Sequence, residues 1–140
     1  MTIVFCLPGN SYSGNFLRSW SQLLTELPGH QINFGISQYY TPSINHLRSK
    51  ILGADVLRGK HQKPFNGEVD YDYLMWIDSD TVFNTQHFLT LLQHDKDVVS
   101  GLYMMSGNTY YATVENMNVE DFNKNGSYSF LTRKDIEEKE

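Results

Sequence analysis

Asp78 and Asp80, one residue apart across Ser79, are the side chains whose type and spacing speak most directly of chemistry. They follow Tyr73-Leu74-Met75-Trp76-Ile77, an apolar run that reads as a buried strand. In extended backbone, residues two apart face the same side, so both carboxylates can address one point in space. Two anions held that close repel each other, and a hard cation relieves the repulsion. Mn2+ or Mg2+ suits such a place, because either takes one or two carboxylates and fills its shell with phosphate oxygens and water. A diphosphate bridged in this way has its departing charge neutralised. The plainer reading is that one of the two acids only caps a turn or the next helix.

The elements that must position this pair follow from hydrophobic periodicity. Ile3-Val4-Phe5-Cys6-Leu7 is a continuous apolar run, as expected of a strand buried on both faces, and a Gly/Asn/Ser loop over 9–15 follows it. Phe16, Leu17, Trp20, Leu23, Leu24 and Leu27 recur at helical spacing until Pro28-Gly29 stops them. A second strand is predicted over 32–40. Ser43 is placed to cap a helix with Ile44, Leu47, Ile51 and Leu52 on one side, and 60–70 is a loop. After the acidic pair, Asn84 can cap a helix through Phe88, Leu89, Leu91 and Leu92, and 97–104 is predicted as a further strand. Residues 106–125 carry a weak pattern, 128–131 a short edge strand, and 132–140 a charged tail without an apolar face. Alternating buried strands and amphipathic helices predict an α/β fold, an open, mostly parallel sheet with helices on its faces.

At 140 residues, 40% hydrophobic and 14% aromatic, the chain has material for one real core. A net charge of -5 argues against a protein that coats nucleic acid or anionic membrane, so a polyanionic ligand needs a local cation. Cys6, the one cysteine, reads as a small core residue. The apolar start is too short for a signal peptide or a spanning helix, which leads to the expectation of a soluble, cytoplasmic protein. The segment Gly9-Asn10-Ser11-Tyr12-Ser13-Gly14 lacks the P-loop lysine and the dinucleotide glycine pattern. Among the histidines no metal spacing occurs, and His87 and His94 are expected at a helix surface. Lys60, His61 and Lys63 read as a solvated loop cluster, Trp20 and Trp76 as core residues, and Tyr110 and Tyr111 as an exposed pair or a cover for a ligand.

The stretch 71–103 resembles the GT-A glycosyltransferases, in which an apolar strand runs into an Asp-x-Asp motif and is followed by a helix and a strand. Here the pieces read Tyr73-Leu74-Met75-Trp76-Ile77-Asp78-Ser79-Asp80 and Asp97-Val98-Val99-Ser100-Gly101-Leu102-Tyr103. The resemblance implies a three-layer, Rossmann-like α/β/α domain over 1–131 that binds a UDP- or GDP-sugar. By it Asp80 is the direct metal ligand, and Asp78 contacts the ribose or the metal's shell, with Ser79 between them in the nucleotide site. Pro8 and Asn10, in Leu7-Pro8-Gly9-Asn10, would meet the base, and Arg48 the nucleotide or its diphosphate. Val119-Glu120-Asp121 looks like the family's base motif but stands closer to Asp80 than usual, so Asp121 is a weak candidate base. The acceptor-facing half expected of such enzymes has no room here, which implies a fragment or an unusually small member; the oligomeric state is open, and a partner subunit, such as a second copy of the chain, could complete a half-built site. The acceptor is unspecified.

Two other functions compete. Trp76-Ile77-Asp78-Ser79-Asp80-Thr81-Val82 also resembles the haloacid-dehalogenase phosphatases, with Asp78 as nucleophile, Asp80 as acid/base and Ser100 mimicking the second motif. That motif normally opens such chains, and the later lysine and acidic pair are not found. The third reading is a remnant that holds a nucleotide sugar and transfers nothing.

Overall fold

The computed structural model describes residues 1–105 and 107–138, so Ser106 of the weakly patterned stretch and Lys139 and Glu140 of the predicted tail lie outside the described residues. Two compact units divide the chain, Met1–Thr90 and Leu91–Glu140.

In the first unit, β1 (Thr2–Pro8) is the middle of a three-stranded parallel sheet, flanked by β2 (Asn33–Tyr39) and β3 (Tyr73–Trp76) in the order β2-β1-β3. Its central place explains its unbroken apolar run, because a strand covered on both faces has no solvent side. Side chains alternate across it. Phe5 points to one face, where its ring lies 5.0 Å from Trp20 of α1 (Gly14–Glu26) and 5.7 Å from Phe88 of α3 (Thr85–Gln93). Val4 and Cys6 point to the other face and pack with Leu47 and Ile51 of α2 (Ile44–Ile51). The chain runs outward from β1 to β2 through α1, then back past β1 to β3 through α2. Two crossovers of one hand that run in opposite directions must leave their helices on opposite faces, as these do. The fold is therefore mixed α/β with a small parallel sheet.

Sequence and structure agree closely on these elements. Asn84 caps α3, its Oδ1 accepting from the His87 amide at 2.8 Å. Ser43 stands at the N-cap of α2 as expected, but its hydroxyl makes no capping hydrogen bond. Among the described residues no helix is long and apolar enough to cross a membrane.

The second unit departs from the pattern. The β-forming residues 97–104 form no strand: Val98 is 90% exposed, and only Met104 makes a bridge, to Tyr111. β propensity describes the fit to a half-buried pleated surface, and without a neighbour to take the hydrogen bonds it yields no strand. Here the neighbour reaches only the end of the run, where the Ala112 amide donates to Tyr103 O at 2.9 Å and the Met105 amide to Tyr110 O at 2.8 Å. β4 (Tyr110–Val114) pairs antiparallel with β5 (Phe130–Thr132), close to the expected edge strand. Between them lies α4 (Val119–Asn125), a helix the weak apolar pattern does not announce. It is set by its ends, Asn118 accepting from the Glu120 and Asp121 amides and Gly126 turning out at φ 71°. Within the charged segment 132–140, α5 (Arg133–Glu137) forms on a capping box between Thr132 and Asp135.

Cys6 is fully buried, and burial pushes its thiol up to about 12. A thiol so protonated and covered is inert. The native protein is expected to resist iodoacetamide at pH 8 and to take up one equivalent only in denaturant, as read by mass spectrometry.

Candidate functional site

The acidic pair stands on a turn rather than on the strand. β3 ends at Trp76, the Ile77 amide still donates to Cys6 O at 3.2 Å, and the chain then closes a turn in which the Thr81 amide donates to Asp78 O at 3.0 Å. Extended backbone through Asp78 and Asp80 is thereby corrected: the hydrogen bond from residue 81 back to residue 78 needs ~7 Å or less between its ends, which a pleated strand cannot give. The pair sits at the corner of a turn at the carboxyl end of β3, with both side chains exposed and Ser79 half-buried between them.

That turn is locked to the loop after β1. Ser13 caps α1, its Oγ accepting from the Phe16 amide at 3.0 Å, while the Ser13 amide donates to Ser79 O at 3.2 Å. The Gly9 amide donates to Tyr39 O at 3.1 Å, and the Gln38 side-chain amide donates to Gly9 O. The Tyr12 hydroxyl donates to Leu7 O at 3.2 Å; burial pushes this phenol above its ordinary range, against the smaller opposing effect of Gln38. On the far side of the turn the buried Ser19 hydroxyl accepts from the Phe83 amide at 3.1 Å. The loop after β1, itself tied to the end of β2, and α1 thus hold the acidic turn in one place.

Gly9 makes this approach possible. Its φ is 137°, and a Cβ there would lie 3.1 Å from Ser79 Cβ and 3.3 Å from Ser79 Oγ. Gly9→Ala therefore meets both backbone strain and a clash and is expected to cost about 1–3 kcal/mol in urea unfolding. A change below ~0.5 kcal/mol would mean that the two loops are not locked.

Among the described residues, neither the Asp78 nor the Asp80 carboxylate has a hydrogen-bond or ion-pair partner, and the capping task of the plainer reading belongs to Asn84. No cluster of three or more His, Cys, Asp or Glu occurs among the described residues. Both carboxylates are open to solvent and to an added ligand.

The other candidates fall as follows. Pro8 is the buried last residue of β1, and Asn10 is exposed two residues beyond it, in the loop beside Ser79. Arg48 lies on α2 with its guanidinium carbon 5.8 Å from the centre of the Trp76 ring, two residues before Asp78. The first unit therefore carries Pro8, Asn10, Arg48, Asp78, Ser79 and Asp80. Asp121 belongs to the second unit, on the first turn of α4, where its Oδ2 accepts from Asn118 Nδ2 at 2.9 Å. His87 and His94 are exposed. Gln38, Tyr12, Ser13 and Ser19, which hold the two loops, were not legible as site residues; only the glycine and hydroxyl content of 9–15 marks that loop as special.

Comparison with protein-family models, with curated proteins and with solved structures gives no match.

Proposed function

We propose that this chain binds a nucleotide-diphosphate sugar together with a divalent metal and serves as the donor-binding part of a GT-A-type glycosyltransferase. On this reading the three-stranded unit is the core of an open, three-layer, Rossmann-like sheet. The observation that carries the proposal is the pair of exposed carboxylates, without a partner among the described residues, on a turn fastened to the loop after β1.

Topology supports it. In open α/β sheets, ligands bind beyond the carboxyl ends of the strands where the winding reverses, and here the chain reverses around β1, bringing the loops after β1 and β3 side by side. The first would meet the base through Pro8 and Asn10, and the second would supply Asp80 to Mn2+ or Mg2+ and Asp78 to the ribose or the metal's shell. Such a cation, when bound, supplies the positive charge a diphosphate leaving group needs. The locked loops hold the backbone of the acidic turn in place before the ligand arrives, which lowers the ordering cost of binding. The acceptor, which would be a glycan, a protein or a small molecule, is unassigned, and so is the catalytic base.

Calorimetric titration with UDP and with GDP tests the reading. Binding of one of them is expected with Mn2+ present and is expected to vanish in EDTA. Equal affinity in both conditions, or none in either, would sink it.

A further inference from the structure

Arg48 is a cation without an anion. Among the described residues its guanidinium has no hydrogen bond and no ion pair, although the chain carries net charge -5. What it has is the ring of Trp76, 5.8 Å away. Trp76 closes β3 and packs against the cluster of Val4, Cys6, Leu47 and Ile51, so one part of its ring is fixed by the core. Arg48 follows Leu47 on α2 and lies over that fixed ring. A planar guanidinium resting on an aromatic surface keeps its in-plane donors unspent, in the fork that matches two phosphate oxygens.

We propose that Trp76 is a positioning residue for the donor site, holding Arg48 beside the carboxyl end of β3 with its donors free for the diphosphate of the nucleotide. This rests on the donor-site reading above. An arginine on a surface helix otherwise samples many rotamers, and confining it beforehand removes part of the entropy that binding must overcome. Trp76 acts through Arg48 and touches no reacting atom.

A double-mutant cycle decides it. With Mg2+ and whichever of UDP or GDP binds, Trp76→Leu is expected to weaken affinity roughly tenfold, and Arg48→Ala by at least as much. In the Arg48→Ala background, Trp76→Leu should cost nothing further, and Trp76→Phe, which restores a ring, should recover most of the affinity. In NMR spectra of the free protein, the Arg48 methylene protons should carry an upfield ring-current shift that Trp76→Leu removes. Equal losses from Trp76→Leu with and without Arg48, or no loss at all while Asp80→Ala still abolishes binding, would overturn the proposal and leave the donor site standing. If neither diphosphate binds the wild-type chain with metal, the donor-site reading fails and this proposal with it. Should Trp76→Leu not fold, Arg48→Lys decides the matter: an ammonium keeps the charge but neither stacks as a plane nor forks, so wild-type affinity in that variant would overturn it.

Discussion

Asp80→Ala is expected to erase the stabilisation that the proposed donor site predicts for a nucleoside diphosphate with Mn2+, while leaving the melting temperature of the free protein almost unchanged. The second half of this result follows from exposure. The Asp80 carboxylate is at the surface and has no hydrogen-bond or ion-pair partner among the described residues, so its removal strands no buried group and opens no cavity. Substitutions of that kind fall within about 0.5 kcal/mol. The first half follows from mass action: at a hundred times its Kd, a ligand that binds only the folded state adds about 2.7 kcal/mol. In a unit of this size that raises the melting temperature by on the order of 10 °C. Removing the proposed metal ligand would leave one carboxylate against a divalent ion and a diphosphate, and the gain should disappear. Differential scanning fluorimetry reads both quantities. If Asp80→Ala retains the whole shift, the metal is held elsewhere and the assignment of this turn is wrong. Turnover of p-nitrophenyl phosphate, lost in Asp78→Asn, would instead favour the phosphatase chemistry that the same residues resemble.

Phe5→Ala is expected to be the most damaging single substitution in the first unit. Phe5 is fully buried at the centre of the middle strand, and its ring meets Trp20 of α1, Phe88 of α3 and Phe34 of β2 at 5.0, 5.7 and 6.2 Å. Truncation removes the transfer free energy of an aromatic ring and leaves a cavity that three separate elements must collapse to fill. Such changes cost about 3–5 kcal/mol, a large share of the 5–15 kcal/mol that holds an ordinary domain together. Urea unfolding followed by far-ultraviolet circular dichroism should show the loss directly, and a cost below ~1 kcal/mol would contradict the packing described. Phe5→Leu keeps most of the volume and should cost clearly less.

Hydrophobic periodicity already marks the six elements of the first unit in the amino-acid sequence. Apolar residues recur at helical spacing in α1, α2 and α3, and the uninterrupted apolar run of β1 already implies cover on both faces. These signals are strong because each element must bury a stripe or a face against the same sheet, and burial imprints its period on the chain. The acidic pair and its place after a strand were legible for the same reason. In the second unit the imprint fades. Val98 and Leu102 are exposed, so their β-forming character answers to no core, and α4 rests on Asn118 and Gly126 at its ends more than on an apolar stripe.

How the acidic pair is held could not be read from the amino-acid order. Ser13 and the close approach of Gly9 join the turn to the loop after β1, and Arg48 rests on Trp76; these contacts link residues tens of positions apart, whereas the turn itself closes locally from Thr81 to Asp78. Local periodicity records which side of an element is buried and carries no record of which distant loop lies against it. That pairing is set when the crossovers from β1 to β2 and from β2 to β3 bring the carboxyl ends of two parallel strands together.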